Sequence, residues 1–170
     1  MKKRLVWLYI GVLFVIFFSL YSINCKTSDD TNGEGSGYLP NLTGKWTGTW
    51  KDTVYNVSGT LSVTFSRDGL TITATGSIDL SVLGLGEKTG SGTGTVDENS
   101  ITFTFTASGV GNGQGTVSGS SATGSGNVGG TLAFGPFTFT GEISGDQING
   151  NFNFTNPGGG AGTVTLTKAQ

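Results

Sequence analysis

GTLSVTFSRDGLTITATGSIDL, residues 59–80, decides the fold. Leu61, Val63 and Phe65 occupy alternate positions, with Thr60, Ser62, Thr64 and Ser66 between them. A second apolar set follows: Leu70, Ile72, Ala74, Ile78 and Leu80. Strict period two with a Thr/Ser face is the pattern of half-buried antiparallel strands. Between the sets stands Arg67-Asp68-Gly69, a run suited to a tight hairpin because Asp and Gly tolerate positive φ.

The same alternation continues downstream. ITFTFT places Ile101, Phe103 and Phe105 on one face, and FTFTGEI places Phe137, Phe139 and Ile143. INGNFNF gives Ile148, Phe152 and Phe154, and GTVTLTK gives Val164 and Leu166. Asp97-Glu98-Asn99 and Ser144-Gly145-Asp146 supply further turns. No helical periodicity interrupts the series. About ten short strands are expected, each paired to its sequence neighbour. Residues 93–117 also align without a gap on residues 140–164, matching Ile101 with Ile148 and Phe105 with Phe152. A repeated three-strand meander explains that echo.

Glycine sets the closure. Gly90, Gly92 and Gly94 share the phase of Val96; Gly124, Gly126 and Gly130 share that of Val128, Leu132 and Phe134; Gly115 and Gly119 flank Val117. Each inward Gly costs roughly 0.5–1 kcal/mol relative to Ala, so together they cost on the order of 10 kcal/mol. That rivals a domain's whole net stability of roughly 5–15 kcal/mol. Closure removes both sheet edges and lets every backbone group pair. Glycine also permits the coiling that closure needs. An all-β, up-and-down meander closing into a barrel of roughly 8–10 strands is therefore expected; a two-sheet β-sandwich is the alternative.

The N-terminus reads differently. Lys2, Lys3 and Arg4 precede an apolar run from Leu5 to Tyr21, and Cys25, the single cysteine, lies just beyond. The segment resembles a bacterial lipoprotein signal. This implies removal of residues 1–24 and acylation of Cys25 by palmitate-type chains. An uncleaved membrane anchor is the alternative, and both readings tether the domain outside the cytoplasm. Lys26 after the cysteine points to the outer membrane by analogy with enteric sorting. Residues 25–40, polar and glycine-bearing, form the expected tether, and residues 41–168 a single domain. Three of the nine basic residues fall in the signal, leaving six against eleven acidic ones, a side-chain charge of −5. An acidic chain without a basic cluster argues against nucleic-acid binding.

At the head of the domain stands NLTGKWTGTW, residues 41–50. Gly44-Lys45-Trp46 resembles the Gly-x-Trp on the first strand of calycins, the superfamily of lipocalins, fatty-acid-binding proteins and avidins. In lipocalins that tryptophan packs at the closed barrel end beneath a late basic residue. The resemblance puts Lys168, in phase with Val164 and Leu166, over Trp46. It carries no biotin site, because no tryptophan follows Trp50. Runs such as FTGEISGDQINGNF resemble the Gly/Thr-rich β-domains of bacterial envelope lipoproteins, which implies a fold and an address but no activity.

Catalytic chemistry is sparse. The chain has no histidine, which excludes Ser-His-Asp and Cys-His catalysis and the usual zinc sites. Asp68, Asp97, Glu98 and Asp146 belong to turns, and Asp79 and Glu142 to outer strand faces. No enzymatic activity, cofactor or metal is expected. Residues 124–129 fit G-x-G-x-x-G without the helix that gives the motif meaning. The candidate ligand-binding residues are inward aromatics: Trp50, Phe103, Phe105, Phe139, Phe152 and Phe154. They form either an apolar cup for a small hydrophobic ligand or a filled core. Val82, Leu83 and Leu85, in the connection after Leu80, need cover from the barrel mouth, a partner or a membrane. Two functions follow: a membrane-tethered, lipocalin-like ligand carrier, or a structural or surface-interaction lipoprotein with a filled barrel. The sequence leaves its protein partners, and periplasmic against surface exposure, open.

Overall fold

A computed structural model describes residues 39–107, 110–128, 135–156 and 160–170. The export segment, Cys25, the tether to residue 38, and Gly130, Leu132 and Phe134 lie outside the described residues. Ten strands follow one another: β1 (Gly44–Asp52), β2 (Val57–Asp68), β3 (Thr71–Asp79), β4 (Glu87–Val96), β5 (Ser100–Ala107), β6 (Gly111–Ser118), β7 (Ser121–Val128), β8 (Gly135–Ser144), β9 (Gln147–Phe154) and β10 (Ala161–Lys168). Each pairs antiparallel with its neighbours in sequence, and β10 returns to β1, so the sheet is a closed barrel. The sandwich alternative is thereby set aside. Closure is compatible with a calycin-like barrel.

Alternation governs burial. In β9, Ile148, Gly150, Phe152 and Phe154 are buried while Gln147, Asn149, Asn151 and Asn153 are exposed. The core is the inward face of all ten strands, from Trp46 and Trp50 on β1 to Val164 and Leu166 on β10. Among the described residues, Leu70 and Gly119 are placed in the strand phase by the sequence but do not lie in strands. Both are turn residues rather than strand residues, and Leu70 is 66% exposed. A two-residue turn carries the alternation past the end of the strand, so phase alone misplaces its members. Gly69 and Gly145 open their turns at φ 56° and 57°, a region that favours glycine.

The internal echo is structural as well. Val96 faces Ile101 between β4 and β5, and their counterparts Ile143 and Ile148 face each other between β8 and β9. The next hairpin differs: Ile101 faces Val117, whereas Ile148 faces Leu166, two residues beyond Val164. A slip of two keeps every side chain on its own face, which is why the repeat tolerates it.

The barrel has two unlike ends. Short turns at 69–70, 97–99, 119–120 and 145–146 form one. The connections 53–56 and 80–86, and the ends of β5, β7 and β9, mark the other. The chain enters at the tight-turn end, where Leu39 and Leu42 are buried. Trp46 Nε1 donates to the Leu42 carbonyl at 2.7 Å. Lys168 Nζ donates to the Asn41 carbonyl at 3.1 Å. Pro40 and Asn41 border a shallow hollow with Ser120, Gly145 and Asp146, so the entering strap lies against the turns of this end.

Candidate functional site

The inward aromatics meet inside the barrel in a specific way. Phe103 and Gly115 are cross-strand partners on β5 and β6, and so are Phe105 and Gly113. Phe152 faces Gly162 across β9 and β10, and Phe137 faces Gly126 across β7 and β8. In each pair the ring lies over the glycine: a Cβ at Gly126 would come within 2.5 Å of Phe137 Cζ, and at Gly113, Gly115 and Gly162 closer still to the facing ring. Phe139 covers Gly150 in the same manner. Gly59 accommodates Trp50, whose Nε1 would stand 2.6 Å from a Cβ there. These glycines supply more than backbone freedom. They provide the floor on which rings lie sideways, the aromatic shielding of strand glycines.

Exposure decides whether space remains. Trp50 is 0% exposed, Phe139 1%, Phe105 and Phe152 2%, Phe103 3% and Phe154 5%. A ligand-sized void would leave ring faces open to a water-sized volume, and these are closed. Phe154 packs against Phe137 with centroids 5.9 Å apart at 56°. Trp50 Nε1 donates to the Asp79 carbonyl at 3.2 Å, so its one polar atom is satisfied. The structure therefore brings all six sequence-selected aromatics to the inward face as packed core. Grooves are present on the outside of the barrel, between rows of Thr and Ser such as Thr93, Thr95, Thr102, Thr104 and Thr116.

The signature residues sit at the tight-turn end. Lys168 Nζ lies 5.7 Å from the Trp46 ring centroid, within cation–π range. Gly44, at φ 119°, leaves room for the lysine stem, since a Cβ there would be 3.3 Å from Lys168 Cε. Trp46 is 0% exposed.

Asp52 is not among the residues the sequence singles out. It follows Trp46 and Trp50 on the inward phase and is the buried charged residue among those described, at 1% exposure. Its Oδ1 accepts from the amides of Val54 and Tyr55, each at 2.8 Å, shaping the β1–β2 connection. Its Oδ2 is buried without a hydrogen-bond partner. Burial pushes this carboxyl above the ordinary range, and the two amides pull the other way. The phase of β1 was the signal that could have found it. Asp79 differs: hydrogen bonds from Ser81 lower its pKa, and Ser81 N reaches its Oδ1 at 2.8 Å.

At the loop end, Ser81–Leu83 forms a single 3-10 turn. Val82 on it is exposed, as is Val54 in the neighbouring connection, while Leu85 packs against the core. Among the described residues, no group of three or more His, Cys, Asp or Glu side chains is placed to hold a metal ion. Comparison with protein-family models gives no match, and comparison with curated protein sequences gives none either.

Proposed function

We propose that this chain is a non-catalytic envelope lipoprotein, exported by residues 1–24, anchored through acylated Cys25 and held on the tether 25–40. In this reading its barrel is a packed scaffold that works through its outer surface and loops, contacting other envelope or external molecules. The observation that carries it is the closure of the interior: rings 0–5% exposed, laid over glycines. Holding a hydrophobic ligand there would require displacing those rings at several kcal/mol each. The anchor is supported by the apolar run ending before a single cysteine. Lys26 after the cysteine supports an outer-membrane location.

The test has two arms. Purified protein is titrated with fatty acids and aromatic ligands while Trp46 and Trp50 fluorescence is followed. An unchanged signal across the panel is expected; saturable quenching would restore the lipocalin-like carrier. Intact-mass measurement of the membrane-extracted protein is expected to show a chain beginning at Cys25 and carrying acyl groups. An uncleaved, unmodified chain would remove the lipoprotein reading.

A further inference from the structure

The chain enters the barrel at one particular end. Leu39 and Leu42 are buried, and Trp46 Nε1 and Lys168 Nζ bind the carbonyls of Leu42 and Asn41. The attachment point is therefore packed and hydrogen-bonded to the barrel, and it is at the tight-turn end. Thirteen residues separate Cys25 from Leu39. Fully extended they reach at most about 50 Å. Strands of eight to twelve residues, at about 3.3 Å per residue and tilted by roughly 40°, give a barrel about 20–30 Å tall. The tether is longer than the barrel is tall, and it is joined to the barrel at the tight-turn end, so a barrel settling toward its anchor presents that end first.

Among the described residues, the tight-turn end also carries the most exposed of the large apolar side chains. Leu70 is 66% exposed at the tip of the β2–β3 hairpin. Arg67 stands beside it, its Nε donating to the Gly69 carbonyl at 2.6 Å. The turns and strand ends here carry Asp68, Asp97, Glu98 and Asp146, against Lys45, Arg67 and Lys168. Charges this nearly balanced suit zwitterionic headgroups better than a strongly anionic surface. An apolar tip with an adjacent arginine can seat in such a layer, the leucine among the upper acyl carbons and the guanidinium at phosphate level.

We propose that the tight-turn end faces the membrane with the Leu70 tip against zwitterionic lipid, and that the loop end, with Val54 and Val82, points away from it. This rests on the membrane-anchored reading above. Cys25 is the only native thiol, so engineered cysteines report cleanly once it is acylated. The full chain is expressed with native processing, with Leu70→Cys or Val82→Cys, and reconstituted in phosphatidylcholine vesicles. Each engineered thiol is labelled with an environment-sensitive dye, and quenching by a headgroup-borne quencher is measured. Quenching several-fold greater at position 70 than at 82 is expected. Equal quenching, or more at 82, would overturn the orientation. The protein without an engineered cysteine separates the two readings. If its Cys25 reacts with maleimide, the acyl anchor fails, and the comparison is repeated in a Cys25→Ser background anchored by residues 5–21. The same ordering supports the orientation there, and a reversed or equal one overturns it.

Discussion

Phe103 lies across Gly115. The two are cross-strand partners, and a Cβ on the glycine would fall inside the van der Waals envelope of Phe103 Cζ. The same relation joins Phe105 to Gly113 and Phe152 to Gly162. The glycine content of the inner wall and its aromatic content are thus one feature. A ring laid flat on a glycine occupies the volume that two medium side chains would otherwise share, and it shields the glycine backbone from water.

Gly115→Ala should therefore destabilise the protein by about 1–3 kcal/mol, the range for overpacking a filled interior. Pairing it with Phe103→Leu should recover part of that loss, because the clash is with the ring terminus. Chemical denaturation of the two single variants and the double variant measures the coupling. A double variant whose cost is the plain sum of the singles would refute the ring-over-glycine account.

Lys168→Met keeps the stem beside Gly44 and removes the charge over Trp46 together with the bond to the Asn41 carbonyl. The expected loss is about 1–2 kcal/mol, combining a cation–π contact and one hydrogen bond. It should appear as a lower denaturation midpoint at unchanged slope. Faster hydrogen exchange at the Trp46 indole, which donates to Leu42, should accompany it.

Much of this arrangement is legible in the sequence, and the remainder is not for identifiable reasons. Alternation assigns Phe103, Phe105, Phe152 and Phe154 to the inside because period two has only two faces. It does not say which residue each one meets. The β5–β6 and β9–β10 hairpins show why: Ile101 faces Val117, yet Ile148 faces Leu166, and both registers satisfy the same pattern. The ring-on-glycine contacts, and with them the filled interior, depend on that register. Phase groups Leu70 with Ile72 because the turn between the strands is too short to break the count, yet Leu70 is a turn residue. Asp52 continues the phase of Trp50, but charge ordinarily marks the outer face, so the sequence pattern alone does not single it out.

Asp52 and Asp79 should pull the pH profile of stability in opposite directions. Burial raises the folded pKa of Asp52 above its ordinary value of 3.8, so the folded state holds that proton more tightly than the unfolded state. Its contribution is greatest below 3.8 and is lost as pH rises through the raised value. Asp79 is lowered by its bonds from Ser81, so its contribution is present above 3.8 and fades as pH falls through the folded value. Asp52→Asn should flatten the loss on the alkaline side of 3.8, and Asp79→Asn should flatten the loss on the acid side. Thermal denaturation across that range checks both signs. An Asp52→Asn profile parallel to that of the unsubstituted protein would show that the buried carboxyl does not titrate differently on folding.

The filled interior makes one further prediction, which separates a packed barrel from a hollow one. Phe105 is 2% exposed and lies over Gly113, which has no side chain to move into the space the ring would leave. Phe105→Ala should therefore open a dry, apolar cavity and cost about 3–5 kcal/mol. Engineered cavities of this kind take up small apolar solutes, whereas closed cores do not. Benzene should raise the melting temperature of the Phe105→Ala protein and leave that of the unsubstituted protein unchanged. In a hollow barrel the ring would line an existing space. Its loss would then cost little more than the transferred ring area, and benzene would already stabilise the unsubstituted protein. Benzene binding to both proteins with similar affinity would therefore contradict the packed-scaffold reading.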